Sequence, residues 1–277
     1  MKEKQVIGTV FLRAATLDVM ARFYEDIIGM QIKDHSEEAV TLGTATADLL
    51  TIIKAPQAQR APNSTGLYHF AILVPSLYDL ARSLRRLAET QTRLQGMSDH
   101  AVSEAIYLAD PEGNGIEIYR DRPRDAWYED NEFQLTTIPM DVDGVLSTLN
   151  TEDIAWIGLH DDTIIGHIHL HVSNIPETEE FYRDLLGLDV MMNIGSATFM
   201  SYDGYHHHIG ANIWAGRTPP PPNTLGLDHF VLDVGSLARL QTIRTRLEEA
   251  RVVVDQDNGF YWVTDPSANR IAITAGD

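Results

Sequence analysis

The chain repeats itself. Residues 6–32, VIGTVFLRAATLDVMARFYEDIIGMQI, align without a gap on residues 164–190, IIGHIHLHVSNIPETEEFYRDLLGLDV. The alignment sets Gly8 over Gly166, Phe23 and Tyr24 over Phe181 and Tyr182, Asp26 over Asp184, and Gly29 over Gly187. Residues 66–80, GLYHFAILVPSLYDL, match residues 226–240, GLDHFVLDVGSLARL, with His69 over His229. A third pair closes each half: YLADPEGNGIEI (107–118) against WVTDPSANRIAI (262–273). Such repetition constrains a fold more than any local propensity, because each copy must form the same supersecondary unit and bury its apolar face on a neighbour. The halves are duplicates, and each holds two shorter units, at 6–56, 66–121, 164–216 and 225–277.

Each unit opens with a short β run and passes into an amphipathic helix. In the third unit Pro176 stands where a first helical residue is expected, and Glu177, Glu179 and Glu180 complement the positive end of the helix. Phe181, Leu185 and Leu188 follow helical spacing, and Gly187 supplies a left-handed stop. The first unit has the same design, with Asp18 early, Phe23, Ile27 and Ile28 on the apolar side, and Gly29 as the stop. The period then changes to two over residues 37–53 and 196–214, the latter turned at Asp203-Gly204. The unit is therefore β-α-β-β-β, used four times. Proline-rich links at 55–65 and 217–224 separate units within each half. The reading is an α+β protein with an N-terminal domain at 6–121, a linker at 122–163 and a C-terminal domain at 164–277.

Composition narrows the chemistry. Lys and Arg number 21 against 40 Asp and Glu, a net charge of −19, which repels phosphate backbones and anionic lipid. No nucleic-acid or membrane partner is expected. There is no cysteine, which excludes disulfides, thiol nucleophiles, iron–sulfur clusters and thiolate zinc sites. Neither the opening MKEKQVIGTVFLRAA nor any later run has the apolar length of a signal peptide or membrane span, so a soluble, cytoplasmic protein is expected. Histidine and carboxylate remain as the strong metal ligands. Of 11 histidines, His167, His169 and His171 share one face of a strand, in steps of about 6.5–7 Å, so one of the three is expected at any one ion. His206, His207 and His208 form a second cluster, and His69 occupies a repeat position.

Four βαβββ units, G-H-x-x-x-x-V or L-x-H-F openings and D-P-x-G-N-x-I-E closings resemble the vicinal oxygen chelate superfamily. YHHHIGANIW (205–214) and IYLADPEGNGIEIY (106–119) are similar to its extradiol ring-cleaving dioxygenase branch. The resemblance spans residues 6–274 and implies two barrel-like domains. It also implies a site of two histidines and one carboxylate on one face of Fe(II), with Mn(II) suited to the same donors. The histidines come from the first strands of two paired units and the glutamate from a last strand. First-strand positions here are Thr9, His69, His167 and His229; the last-strand positions are Glu117 and Ala272. Pairing units in chain order leaves two broken sites. Pairing the second unit with the third, and the first with the fourth, gathers His69, Glu117 and His167 into one complete set.

The resemblance further implies His208 as acid–base histidine, Tyr107 as hydrogen-bond partner of the bound substrate and His100 as an oxygen-side acid, the last on a loop shorter than usual. The reaction implied is cleavage of catechol or a substituted catechol with O2, beside its two hydroxyls, to a 2-hydroxymuconic semialdehyde-type product. Self-association is the one macromolecular contact left open. His169, His171, His206 and His207 read as neighbours of the site rather than ligands. Residues 119–127, YRDRPRDAW, read as a solvated stretch of Arg–Asp pairs or as a cover over the pocket, and 141–144 lacks the later ligands of a calcium loop. Two rivals remain: a glyoxalase-like metal-dependent isomerase or transferase, and a non-catalytic binding protein of the same fold.

Overall fold

The computed structural model describes residues 5–130, 132–150 and 155–276. The first unit runs β1 (Ile7–Ala14), α1 (Leu17–Arg22) continuing into a π-helical turn (Phe23–Ile28), β2 (Gln31–His35), β3 (Ala39–Gly43) and β4 (Asp48–Lys54). The second is β5 (Gly66–Leu73), α2 (Leu77–Glu89), β6 (Leu94–Asp99), β7 (Ser103–Ala109) and β8 (Gly115–Asp121). The joining segment holds a 3-10 turn (Arg124–Trp127), the short strands β9 (Tyr128–Glu129), β10 (Glu132–Phe133) and β11 (Ile138–Pro139), and α3 (Val142–Leu146). The third unit is β12 (Ile164–His171), α4 (Ile175–Glu179) with its own π-helical turn (Glu180–Leu185), β13 (Asp189–Asn193), β14 (Ala197–Ser201) and β15 (Ile209–Asn212). The fourth is β16 (Gly226–Asp233), α5 (Leu237–Glu249), β17 (Asp255–Asp257), β18 (Phe260–Thr264) and β19 (Arg270–Thr274). The chain is α+β, with βαβββ in all four units.

Local chemistry accounts for the helix boundaries. Ser76, Asn174 and Ser236 each accept a backbone N–H from the third residue onward, at 3.0–3.2 Å, which satisfies one of the unpaired donors of a first turn. Pro176 is the second residue of α4 rather than the first, because Ile175 already has helical geometry behind the Asn174 cap. Gly29 ends the first helix at φ +89°, and a side chain there would collide with Trp156 and Gly158, which return from the joining segment.

Two sheets result. One has the order β17-β18-β19-β16-β1-β4-β3-β2, centred on the antiparallel pair β1·β16 from the first and fourth units. The other has the order β11-β6-β7-β8-β5-β12-β15-β14-β13, centred on the antiparallel pair β5·β12 from the second and third. On each side of a central pair the next strand is parallel: β8 beside β5 and β15 beside β12. Alternation then separates two faces. Phe70, Ile72, Ile116, Ile118, Ile168 and Leu170 point into the main apolar core, whereas Ala71, Ala105 and Tyr119 form a small cluster on the opposite face.

The D-P-x-x-N closings act as cross-braces. The Asp110 carboxylate accepts the backbone N–H of Glu112 and Asn114 and the Asn114 amide at 2.7–2.9 Å, and the Asp265 carboxylate accepts the equivalent three from Ser267 and Asn269 at 2.8–2.9 Å. Each also receives a buried tyrosine hydroxyl from the preceding unit's helix, Tyr24 at 2.8 Å and Tyr182 at 3.1 Å. Burial raises the pKa of both carboxyls, an effect the hydrogen bonds oppose. Among the described residues no helix is long and apolar enough to cross a membrane. Tyr24→Phe and Tyr182→Phe should each lower the unfolding free energy by about 1–2 kcal/mol, since each leaves a buried carboxylate oxygen short of a donor. Urea denaturation midpoints measure this; unchanged midpoints would show that the braces carry no stability.

Candidate metal centre

Three adjacent strands supply the site. His69 lies on β5, Glu117 on β8 and His167 on β12, with β5 in the middle. Ala71 on β5 is opposite both Glu117 and His167, so one row across the sheet reads Glu117, Ala71, His167. The methyl group in the centre of that row leaves space above it, and His69, two residues away on the same face, leans into that space. His69 Nε2 is 3.0 Å from Glu117 Oε2, His167 Nε2 is 3.1 Å from the same oxygen, and the two Nε2 atoms are 3.4 Å apart. All three residues are buried, and they are the one cluster of metal-ligating atoms found among the described residues.

This spacing suits a metal ion. Donors about 2.1 Å from an ion and mutually cis lie about 3 Å from one another. Without an ion, two imidazole nitrogens share one carboxylate oxygen, a poor use of three buried polar groups. Burial would raise the Glu117 pKa, but the attraction and hydrogen bonds of His167 and His69 outweigh it and hold the carboxyl well below its ordinary range. His167 is pushed down to about 4 by burial, against the pull of Glu117, so its ring is neutral with a lone pair to offer. Two imidazoles and one carboxylate form a donor set for Fe(II), Mn(II) or a similar divalent ion.

Two of the donors, His69 and Glu117, line a cavity of about 670 Å³, and the buried His167 contacts both of them. Tyr107 on β7 is opposite Glu117, and its hydroxyl is 2.8 Å from His100 Nε2. His100 Nδ1 is 2.7 Å from the carbonyl of Thr136, which can only accept, so Nδ1 carries a proton. Burial first, then the charge of Glu117, raises the Tyr107 pKa well above its ordinary value, so the hydroxyl keeps its proton. His100, on a loop too short to be aligned with assurance, is thus tied directly to Tyr107.

His208 is different. Its Nδ1 accepts the backbone N–H of Tyr202 at 3.1 Å, its ring stacks on Tyr205, and it does not line the cavity. His208 is the histidine expected to act as acid and base; His207 lines the cavity, its ring 4.1 Å from that of His167. Burial, together with the neighbouring imidazoles, holds the His207 pKa well below the ordinary histidine value. Residues 202–208 lie between β14 and β15 and lack strand alternation, so no sequence signal distinguished the three histidines.

The joining segment packs on the second and third units. Arg120 pairs with Glu104, and Arg122 reaches Asp99 at 2.7 Å and Glu104 at 3.1 Å, so these arginines bind neighbouring strands rather than solvent. Trp127 is buried against Tyr205. The cavity wall is contributed farther along, by Leu135, Thr136 and Thr137. Asp141 caps α3 by accepting Gly144 N–H at 3.0 Å, an ordinary helix start. His169 lines the cavity with its Nε2 buried and without a hydrogen-bond partner, and Gly210 lets β15 approach its ring, where a Cβ would lie 2.8 Å away.

The first and fourth units place nothing comparable in their sheet. Trp262 is opposite Ala272 just as Tyr107 is opposite Glu117, and Val231 holds the row position of Ala71. The His229 ring stacks on Phe11 at 3.9 Å and its Nδ1 pairs with Asp228 at 2.7 Å, while the Thr9 hydroxyl donates to the Asp48 carbonyl.

Comparison with known proteins agrees with this architecture. The chain belongs to the Glyoxalase/Bleomycin resistance protein/Dioxygenase superfamily, whose family model matches residues 6–118 and 164–273. It is 42% identical over 272 residues to the catechol-2,3-dioxygenase of Bacillus subtilis (strain 168), covering 94% of this chain and 93% of that protein. It is 25% identical over 114 residues to biphenyl-2,3-diol 1,2-dioxygenase 3 of Rhodococcus globerulus, covering 40% of this chain and 60% of that protein. The crystal structure of glyoxalase I from Zea mays shares the fold at a TM-score of 0.60 and 12% identity, covering 98% of this chain and 92% of that one.

His69→Ala or Glu117→Ala should abolish stoichiometric Fe(II) or Mn(II) retention after desalting, and His229→Ala should leave it intact, as read by elemental analysis. Loss on replacing His229 with retention on replacing His69 would move the site to the other sheet.

Proposed function

We propose that this protein is an extradiol ring-cleaving dioxygenase that opens catechols with O2 at a mononuclear non-haem metal, held by His69, Glu117 and His167. The observation that carries the reading is the convergence of these three donors, 3.0–3.4 Å apart, with His69 and Glu117 lining a cavity sized for a small aromatic substrate. The catechol-2,3-dioxygenase relative, similar along nearly its whole length, supports the choice of reaction. Fe(II) is the metal proposed, with Mn(II) suited to the same donors, and the product is of the 2-hydroxymuconic semialdehyde type.

A divalent ion in this donor set would supply Lewis acidity toward the diol and the redox capacity that reaction with O2 requires. The remaining work falls to the chain. His207, kept neutral by burial, is the group that accepts a proton from a diol hydroxyl. Tyr107 keeps its own proton and hydrogen-bonds a substrate oxygen, while His100 orients its hydroxyl. Met192, Phe199, Leu135 and Trp214 wall the cavity with apolar surface, which excludes water from the reacting groups.

The same wall indicates which catechols fit. Among the described residues that line the cavity there is no lysine or arginine, and Glu117 is the sole carboxylate. An anionic ring substituent would lose its hydration without gaining a lysine or arginine partner. A neutral alkyl or aryl substituent instead finds apolar surface, so catechol and its neutral derivatives are the substrate class proposed.

Anaerobic loading with Fe(II), then catechol and air, should give the yellow ring-opened product, and colourless mixtures with every simple catechol would overturn the reading. His207→Gln should lower kcat by about 10²-fold, the range of a lost general base, with His208→Gln costing far less. In steady-state assays kcat/KM for a 4-alkylcatechol should exceed that for 3,4-dihydroxybenzoate by at least about tenfold, or about 1.4 kcal/mol.

A further inference from the structure

Behind the metal-ligating cluster, a buried chain of hydrogen bonds runs from Asp121, at the end of β8, to the cavity. Asp121 Oδ2 accepts the Tyr205 hydroxyl at 2.9 Å, and Asp121 Oδ1 lies 2.9 Å from His206 Nε2. His206 Nδ1 in turn faces His207 Nδ1 at 2.9 Å. The His206 ring is fully buried between Trp127 and Tyr205, whereas the Asp121 side chain is 19% exposed. Of Asp121, Tyr205, His206 and His207, only His207 lines the cavity.

The proton positions follow from which groups can donate. A carboxylate only accepts, so the His206 nitrogen facing Asp121 carries a proton. With one N–H on the His206 ring, its Nδ1 keeps a lone pair. His207 Nδ1 is then the donor across the 2.9 Å contact, and its other nitrogen is bare. Tyr205 fixes the direction at the far end. Its hydroxyl donates to Asp121 and accepts from Tyr119, whose oxygen is 2.8 Å away.

We propose that Asp121, acting through His206, is a positioning residue that holds His207 in the Nδ1–H tautomer and so presents an unprotonated Nε2 to the substrate hydroxyl. The inference rests on the reading of His207 as proton acceptor, but the tautomer itself is measurable without turnover. Orientation of one histidine by a carboxylate is a familiar device; here the carboxylate acts across two rings, and His206 relays the constraint.

Asp121→Asn tests it with little change in shape. With Tyr205 donating to the amide oxygen, the amide nitrogen turns toward His206 and donates to Nε2. That reverses both rings: His206 donates from Nδ1, and His207 carries its proton on Nε2. The full chain, 15N-labelled at histidine and loaded with diamagnetic Zn(II), should show His207 protonated on Nδ1 alone in long-range 1H–15N correlation spectra. In Asp121→Asn the proton should appear on Nε2. With Fe(II), Asp121→Asn should lower kcat by about 10²-fold while KM for catechol and metal content stay within about twofold, and Asp121→Glu should recover most of the rate. His207 protonated on Nε2 in the native chain, His206 protonated on both nitrogens, or a tautomer unmoved by Asp121→Asn would each overturn the proposal. The native spectrum decides even if Asp121→Asn does not fold. If native His207 shows Nδ1–H and no catechol is cleaved, the positioning stands and the dioxygenase reading falls.

Discussion

The antiparallel pairing of β5 with β12 is the contact on which the candidate site depends. It joins strands from the second and third units, places Ala71 opposite His167 and His69 opposite His169, and brings the parallel neighbour β8 alongside with Glu117 in the same row. Backbone hydrogen bonds set this register, and a slip of one residue would turn every donor to the apolar face. The small side chain of Ala71 then decides whether three polar groups can meet above the sheet. In the equivalent sheet of the first and fourth units a valine occupies that place, alanine replaces the glutamate and tryptophan the tyrosine. The two sheets share a scaffold and differ at a handful of positions.

Burial governs the chemistry once the donors have met. It lowers the pKa of His167, His169 and His207, so these imidazoles are neutral, and it raises that of Tyr107, which stays a hydroxyl. Glu117 remains the negative centre because its histidine partners outweigh its desolvation. The cavity thus combines one anion, several neutral bases and a hydrogen-bond donor within an apolar wall. That combination suits a substrate that arrives as a neutral diol.

Much of this was legible in the chain. The repeat and its change of period implied βαβββ four times, and the D-P-x-x-N closings marked turns whose carboxylates are now seen to accept four hydrogen bonds each. The strand positions implied by the family resemblance singled out His69, Glu117 and His167, whose donor atoms lie within 3.4 Å of one another. Periodicity works on strands because side chains there alternate strictly. It fails where the backbone is irregular, and His206, His207 and His208 sit on such a stretch.

Sequence alone determined the class of unit, the number of copies and which repeat positions keep metal-ligating side chains, since all three depend on residue identity at fixed spacing. Only the tertiary structure decided that His207 rather than His208 faces the cavity, that Leu135, Thr136 and Thr137 wall it, and that Asp121 stands behind the paired histidines. Those outcomes depend on the path of loops and on contacts between segments far apart in the chain. No local pattern encodes them, because the neighbours that select each orientation exist only once the sheet has formed.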